Sequence, residues 1–298
     1  MEIAAPIKLT DAEQNMLDMH SFVNILSVVN SVCFLIEFDL NKDGFLKKNN
    51  EIIYSIKHLL DDKESLKNAL KNIGNVKNKF FEALNSSLAQ LSESDINEEV
   101  KEEIENLHSI FEMVETRALE MATRLKEGIK WQSFLIDELH ENFNQFFNAV
   151  EKNAKGRYRI IHNIAEKEPK DYLIHFEIKG ANGKHIFMPD VMVDIMSDLL
   201  ANARKYTNPG GTIDAGLSET ETKLIFRVKE SGIGIPYEEI PKVVEYGYRA
   251  SNAEAKKTFG GGFGLTKAYR FVKENGGKFW VDSEEGEGTC VKLEIPKP

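Results

Sequence analysis

The first half of the chain carries the hydrophobic pattern of helices. Thr10 and Glu13 form a capping-box pattern, which predicts a helix that starts at Asp11. Beyond this start, apolar residues recur every three or four positions and form one stripe. The stripe consists of Phe22, Ile25, Leu26, Val29, Val32, Cys33 and Ile36. Such a stripe favours a helix that packs against other helices.

More helices are predicted after a break at "DLNKDG". The predicted segments lie near 47–60 and 63–91, from the acidic stretch 92–105 to about Lys126, and over 134–154. Almost no strand pattern occurs before residue 152. We therefore expect residues 1–130 to form a helical hairpin or bundle, with inserted helices at about 41–94.

After Gly156 the pattern becomes one of alternating polar and apolar residues bounded by glycines, which is typical of strands. The predicted strands are "RYRIIHNI", "DYLIHFEI", "KLIFRVKES" and "KFWVDSEEG". Helices are predicted between them at about 189–206 and 264–275. Interleaved strands and helices indicate a second domain over 131–298, so the chain as a whole belongs to the α+β class.

Composition narrows the choice of partners and compartment. A length of 298 residues is typical of about two domains, and a net charge of −10 argues against a nucleic-acid partner. Cys33 and Cys290 have no metal-ligand spacing, which fits a reducing cytoplasm. The most apolar run, at 22–38, is interrupted by polar residues such as Asn24 and Asn30. We interpret it as a core helix, and expect no membrane-spanning segment in this chain.

The second domain contains a helix with three chemically useful residues on one face. Asp198, Asn202 and Lys205 follow one another at spacings of four and three residues. A carboxylate and an amide oxygen so placed could hold Mg²⁺, and the lysine could contact phosphates.

Three glycine-bearing stretches follow this helix. "ESGIGIP" contains Gly232 and Gly234, which allow a close approach of the backbone to a ligand. "FGGGFGLTKAY", residues 259–269, precedes a helix and would present free N–H groups to an anion. "GEGT", residues 286–289, precedes the last strand. Each stretch alone is compatible with a plain turn, but their order is informative.

The ordered set resembles the ATP-binding domain of sensor histidine kinases, in the superfamily that also holds gyrase, Hsp90 and MutL. The resemblance covers about residues 130–298 and implies an α/β sandwich that binds ATP beneath a mobile lid at 237–259. It implies that Asn202 coordinates Mg²⁺, Lys205 contacts phosphate and Tyr206 borders the adenine. The nucleotide site expected by this resemblance comprises Asp198, Asn202, Lys205, Tyr206, Glu230, Gly232, Gly234, Gly260, Gly262, Gly264, Leu265 and Thr289.

Glu230 departs from the family pattern. In relatives an Asp at this position accepts a hydrogen bond from the exocyclic amine of adenine. A Glu keeps the acceptor and the charge but adds one methylene group, and displacements near 1 Å matter in enzyme sites. We expect weaker ATP binding. The alternative is a degenerate pocket that is kept for its fold.

The stretch "MHSFVNIL", residues 19–26, resembles the phosphoacceptor motif of the same family. It implies that His20 accepts the phosphoryl group and that Asn24 positions water for its removal. The alternative is a solvated surface histidine. Relatives carry Glu or Asp after the histidine, where this chain has Ser21, and general acid–base help of that kind is typically worth ~10²–10⁴-fold. Slow kinase activity is therefore expected.

Together these features predict a homodimeric, cytoplasmic histidine kinase of a two-component system. It would transfer the γ-phosphoryl group of MgATP to His20 and then to an Asp of a response-regulator receiver domain. The alternative, which Glu230 and Ser21 favour, is a non-catalytic, phosphatase or phosphotransfer signalling module with a degenerate ATP site.

A third possibility is a calcium-responsive helical adaptor. Asp39, Asn41, Asp43 and Gly44 occupy EF-hand positions one, three, five and six, but position twelve is Asn50 instead of Glu. A turn that ends a helix, with Gly44 near the cap, explains the stretch equally well.

Overall fold

The computed structural model describes residues 1–58, 63–92, 95–153, 156–254 and 261–298. The chain divides into two compact units. One, the helical unit, comprises residues 9–128; the other, the sheet unit, comprises residues 1–8 and 129–298. Helices make up the first unit and a mixed sheet with helices makes up the second, so the predicted α+β class is confirmed.

In its described residues the helical unit contains two long helices and three shorter ones. They are α1 (Asp11–Asp39), α2 (Lys47–His58), α3 (Lys63–Lys71), α4 (Ile73–Leu88) and α5 (Glu98–Glu127). The single helix expected over 63–91 is thus two helices, separated at Asn72. The Asn72 side chain donates a hydrogen bond of 2.8 Å to the carbonyl of Asn68, a local bond that competes with continuation of the helix.

Both ends of α1 are capped by the residues around them. The predicted capping box is confirmed, because the N–H of Glu13 bonds to the Thr10 hydroxyl at 3.3 Å and the N–H of Thr10 bonds to the Glu13 carboxylate at 2.7 Å. At the other end Asn41 has a φ of 51°. The N–H groups of Asn41 and Lys42 bond to the carbonyls of Phe38 and Glu37 at 3.0 and 2.9 Å. This is a Schellman motif, with Asn41 and not Gly44 in the left-handed position.

This Schellman motif accounts for the stretch that begins at Asp39 and resembles a calcium-binding loop. Within the residues that the structure describes, no group of three or more His, Cys, Asp or Glu side chains could hold a metal ion.

Among the described helices, α1 is long and apolar enough to cross a membrane, a test that the core helix of a soluble protein also passes. In the structure nine of its residues are buried, in positions that include Phe22, Leu26, Val29 and Ile36. These four belong to the hydrophobic core that α1 shares with α2–α5. Helix α1 therefore contributes to the core of the helical unit.

The sheet unit is built on a six-stranded sheet in the order β2-β3-β5-β6-β8-β7, beside a two-stranded sheet of β1 and β4. The strands are β1 (Trp131–Leu135), β2 (Ile160–Ile161), β3 (Tyr172–Lys179), β4 (His185–Pro189), β5 (Thr212–Glu219), β6 (Lys223–Glu230), β7 (Lys278–Glu284) and β8 (Gly288–Pro296). The helices are α6 (Ile136–Asn153), α7 (Met192–Tyr206), α8 (Ser251–Glu254) and α9 (Gly264–Glu274). Strands β2, β3 and β5 pair in parallel, and the others pair antiparallel.

Strand β1 was not expected, because the helical pattern seemed to begin at residue 134. The structure starts the helix at Ile136 and pairs residues 131–135 with β4, so that Trp131 lies opposite Pro189. The N–H of Ile136 also bonds to the carbonyl of Lys184 at 3.0 Å. Pairing with a distant strand therefore overrides the local pattern.

Alternate residues of β6 are buried, and the last of these buried residues is Glu230. Leu224, Phe226, Val228 and Glu230 share the buried face of the strand, while Lys223, Arg227 and Lys229 are exposed. Helix α7 packs against β6, and α9 packs against β7 and β8. This arrangement places Glu230 at the end of the hydrophobic layer between sheet and helices.

Residues 1–8 pack on the sheet unit, although they were expected to belong with the helices. The N–H of Ile3 bonds to the carbonyl of Phe279 at 2.9 Å, and the N–H of Val281 bonds to the carbonyl of Met1 at 3.0 Å. The Tyr269 hydroxyl donates to the carbonyl of Ala5 at 2.6 Å. Ile3 is only 2% exposed. The segment thus covers the edge strand β7, which would otherwise offer unpaired backbone groups.

This packing makes Ile3 a stability determinant of the sheet unit. We expect Ile3→Ala to lower the free energy of unfolding by ~2–4 kcal/mol, because it removes a buried side chain and leaves a cavity. Urea denaturation followed by tryptophan fluorescence reports this unit, since both tryptophans, Trp131 and Trp280, lie in it. Ile164→Ala is the control at a position that is 73% exposed. Equal stability of the two variants would contradict the packing of residues 1–8.

Candidate functional site

Glu230 ends β6 and is 5% exposed. Its neighbours across the sheet are Ile213 on β5 and Thr289 on β8. Its carboxylate accepts a hydrogen bond of 3.2 Å from the Thr207 hydroxyl, and hydrogen bonding from Gly232 and Thr289 also favours its charged form. The side chain therefore joins three segments of the chain.

Donors of the protein already use part of the acceptor capacity of this carboxylate. An ionised carboxylate offers about four lone-pair sites, and hydrogen bonding from Thr207, Gly232 and Thr289 engages some of them. The Thr207 hydroxyl is shared, because its single hydrogen also reaches the carbonyl of Ala203 at 2.7 Å. An adenine amine would have to compete with these donors.

Burial raises the pKa of the Glu230 carboxyl above its ordinary value, and the bonds from Thr289, Thr207 and Gly232 oppose that shift. The carboxyl is thus held in a partly desolvated position by hydrogen bonding and not by a cation. Thr207 was not among the expected site residues, although it ends the "KYT" sequence that carries Lys205 and Tyr206.

The loop after Glu230 is held so tightly that only glycine fits at two positions. A Cβ on Gly232 would lie 2.4 Å from the carbonyl oxygen of Tyr206. A Cβ on Gly234, whose φ is +64°, would lie 2.0 Å from the carbonyl oxygen of Glu284. The N–H of Ile233 bonds to the Tyr206 carbonyl at 3.2 Å. The end of α7 and the β7–β8 turn therefore meet at this loop.

The start of α9 lies against Asn202. A Cβ on Gly264 would lie 2.8 Å from the Asn202 side-chain nitrogen, so a larger residue would push the two helices apart. Gly262 precedes this start with a φ of +74°, and Leu265 packs on the hydrophobic core. Gly260 lies outside the described residues. The first N–H groups of a helix have no partner within it and attract anions.

Lys205 lies near other cations. Burial lowers its pKa from the ordinary value to about 8, and the charges of Arg249 and Arg204 lower it further in the same direction. Its ammonium is 5.1 Å from the centre of the Tyr206 ring. A cation whose charge is disfavoured by its neighbours is stabilised by an anion, so this cluster suits phosphates. Arg204 and Arg249 were not among the expected site residues.

Asp198 was expected to face the nucleotide or its metal ion. The structure pairs its carboxylate with the Lys267 ammonium of α9 at 2.9 Å. Asn202, one helical turn later, is half-buried and keeps its position beside Gly264. Two oxygen donors were expected on this face of α7. The Asp198 carboxylate bonds to an ammonium group, whereas Asn202 lies beside the start of α9 and no ammonium group bonds to its oxygen among the described residues.

In the helical unit His20 and Asn24 lie one turn apart on α1. The Asn24 amide nitrogen is 3.5 Å from the Nε2 atom of His20, a distance at the limit of a hydrogen bond. His20 is half-buried and Asn24 is exposed. The Ser21 hydroxyl is buried and has no hydrogen-bond partner among the described residues. Ser21 is thus directed into the unit, away from solvent.

Comparisons with known proteins agree with this geometry. Residues 189–298 match the family described as "Histidine kinase-, DNA gyrase B-, and HSP90-like ATPase". The matched segment lies in the sheet unit. It contains the described residues of the candidate nucleotide site, from Asp198 to Thr289.

Curated relatives extend the likeness to sensor histidine kinases. The sensor histidine kinase WalK of Bacillus subtilis (strain 168) is 37% identical over 109 residues, which are 36% of this chain and 18% of the relative. The sensor protein kinase WalK of Staphylococcus aureus is 28% identical over 157 residues, which are 52% of this chain and 35% of the relative. The chain thus spans about a third or less of each relative's length. The resemblance to sensor histidine kinases is confirmed.

Among solved structures, the catalytic domain of histidine kinase ThkA is similar at 23% identity, with a TM-score of 0.40, over 56% of this chain and 96% of that one.

The residues at the site fit a nucleotide with its Mg²⁺ ion. The Asn202 amide lies against the start of α9, where a Cβ on Gly264 would come within 2.8 Å of its nitrogen. Lys205, with Arg204 and Arg249 near it, supplies positive charge for a phosphate chain. An amide oxygen is a donor that Mg²⁺ accepts, usually together with water and phosphate oxygens.

The lowered pKa of Lys205 predicts a pH dependence of ATP binding. Below pH 8 the ammonium is charged and attracts phosphate; as the pH rises through about 8, the unliganded protein loses this charge. We expect ATP affinity to fall by about 10-fold between pH 7.5 and 9.5. Isothermal titration calorimetry measures the change. Lys205→Arg should remove most of it, because guanidinium stays charged in this range. An affinity of the wild type that is flat across this range would contradict the role of Lys205.

Proposed function

We propose that this chain is the catalytic portion of a two-component sensor histidine kinase. Its sheet unit would bind MgATP, and the γ-phosphoryl group would pass to His20 and then to an Asp of a response-regulator receiver domain. The observation that carries the proposal is the meeting of four separate segments around Asn202, Lys205 and Glu230 in a domain of an ATPase family. A helical unit with a His–Asn pair one turn apart, of which the Asn is exposed and the His half-buried, supports it.

The groups at the site would act by position and charge, which carry most phosphoryl-transfer catalysis. The N–H groups at the start of α9 and the Lys205 ammonium would hold the phosphate chain. Asn202 would hold Mg²⁺ through its amide oxygen, and the ion would offset charge on the phosphates. Tyr206 would border the base, at the end of the same helix.

His20 would supply the nucleophile. An imidazole nitrogen attacks phosphorus when it carries no proton, and Nε2 is the ring atom nearest Asn24. The Asn24 amide, 3.5 Å away, would lie beside a phosphoryl group on that nitrogen, where it could orient water for hydrolysis. The same pair would thus serve both phosphorylation and dephosphorylation.

The helical unit exposes apolar side chains that a second copy of the chain would cover. Val28, Phe34 and Phe38 of α1 are 48%, 63% and 71% exposed, and Met113 and Leu119 of α5 are 58% and 70% exposed. Exposed apolar groups in this number favour association. We propose a homodimer formed through these helices, acting in the cytoplasm.

A second candidate is a phosphatase or phosphotransfer module with a degenerate ATP site. Two observations favour it. Hydrogen bonding from Thr207, Gly232 and Thr289 already engages the Glu230 carboxylate, so adenine would have to compete with it. The Ser21 hydroxyl is buried, so the residue after His20 offers no base in place of the Glu or Asp of relatives.

Incubation with γ-labelled MgATP tests the main proposal. We expect slow incorporation of an acid-labile, base-stable phosphate in wild-type protein, and loss of that label to background in His20→Gln, because the accepting nitrogen is absent. His108→Gln is the control, since it removes another histidine of the helical unit. Label that persists in His20→Gln would contradict the assigned acceptor. A folded wild-type protein that binds ATP but gains no label would favour the second candidate.

Substitution of Glu230 tests how the base is recognised. We expect Glu230→Asp to bind ATP about 10-fold more tightly, equivalent to about 1.4 kcal/mol, because the shorter carboxylate withdraws from its protein donors and can accept from adenine. Inosine triphosphate lacks the exocyclic amine, so the gain should be smaller for it. Competition with a fluorescent ATP analogue measures both affinities.

Glu274→Asp is the matched control, because it makes the same change at a largely exposed position on α9. Equal gains for ATP and inosine triphosphate would show that residue 230 does not read the amine. Weaker ATP binding in Glu230→Asp would show that the glutamate already serves as the base acceptor.

A further inference from the structure

A buried ion pair joins the two helices that flank the candidate phosphate site. The Lys267 ammonium of α9 lies 2.9 Å from the Asp198 carboxylate of α7, and the two side chains are 9% and 15% exposed. Lys267 is thus a charged residue on the inward face of a helix, together with apolar residues such as Ala268 and Val272.

The pair lies next to the place where α9 begins. On α7, Asp198 precedes Asn202 by one turn; on α9, Lys267 follows Gly264 by one turn. A Cβ on Gly264 would lie 2.8 Å from the Asn202 side-chain nitrogen and 3.5 Å from the Asp198 Cβ. Two contacts on successive turns, Asn202 with Gly264 and Asp198 with Lys267, therefore fix how α9 lies on α7.

Stability alone gives no reason for a charged pair at this place. A buried ion pair recovers little more than the cost of removing both charges from water, and an apolar pair of similar size is often as stable or more so. A short charged bond does fix the separation of the two helices at this point, because the ammonium and the carboxylate oxygen must lie at one distance. That property suits a contact that has to set a position.

We propose that Lys267 is a positioning residue of the nucleotide site, acting through Asp198. The pair sets the spacing between the start of α9, which receives the phosphate chain, and the Asn202 amide, which receives Mg²⁺. Asp198 is the anchor of this lysine and not a ligand of the metal ion. The inference rests on the proposed function, since it concerns the same nucleotide site.

The test uses a double-mutant cycle in the full chain. Lys267→Met keeps the length of the side chain without its charge, and Asp198→Asn keeps the shape of the carboxylate. We expect each single variant to bind MgATP about 10-fold more weakly, because misplacement near 1 Å is costly in such sites. The double variant should also lose about 10-fold and not the 100-fold of independent effects.

Two further measurements separate positioning from folding and from metal binding. The double variant contains no unpaired buried charge, so its melting temperature without nucleotide should stay near that of the wild type. The ratio of ATP affinities with and without Mg²⁺ should be unchanged by Asp198→Asn and should fall in Asn202→Ala. The matched control is the Arg270–Glu274 pair, which has a bond of 2.9 Å on the same helix. The double substitution Arg270→Met with Glu274→Gln removes this pair, and the ATP affinity should not change.

Several results would overturn the inference while leaving the proposed function intact. Additive losses in the double variant would show that the two residues act separately. A lower Mg²⁺ ratio in Asp198→Asn would make Asp198 a metal ligand. Wild-type affinity in a double variant with a lower melting temperature would leave the pair only a structural role. A wild-type protein that binds no ATP would instead refute the proposed function, and this inference with it.

Discussion

The hydrogen bonds of one buried carboxylate organise the candidate site. Glu230 receives donors from Thr207 at the end of α7, from Gly232 in the next loop and from Thr289 on β8. A buried charge without partners would be costly, so each of these segments must stay where its donor reaches the carboxylate. The loop, the helix end and the strand are therefore held together by a group that is also the expected base acceptor.

The glycines around this carboxylate follow from the same closeness. When α7, the β6 end and the β7–β8 turn converge on one side chain, their backbones come within contact distance of one another. Gly232 against the Tyr206 carbonyl and Gly234 against the Glu284 carbonyl leave no space for a Cβ. The glycines are thus a requirement of the packing.

Local sequence patterns predicted those features that depend on residues close together in the sequence. Thr10 and Glu13 cap α1 as their spacing requires, and two of the glycine stretches pack against α7 through Gly232 and Gly264. The parts that were missed depend on distant partners. Strand β1 exists because β4 pairs with it, and Ile3 is buried because β7 offers an open edge. The spacing on α7 suggested a ligand role for Asp198, but it could not show that Lys267, on another helix, occupies the carboxylate.

The two departures from the histidine kinase pattern affect separate steps. Glu230 lies in the sheet unit and would affect the affinity for ATP, whereas Ser21 lies in the helical unit and would affect proton removal at His20. Neither change removes the group that would bind Mg²⁺ or the nitrogen that would accept the phosphoryl group. A protein altered in this way would keep these two groups, which the proposed kinase reaction needs. Its Asn24, beside His20, would keep the means to remove the phosphoryl group. The balance between phosphorylation and dephosphorylation would then depend on the affinity for ATP, and so on the donors around Glu230.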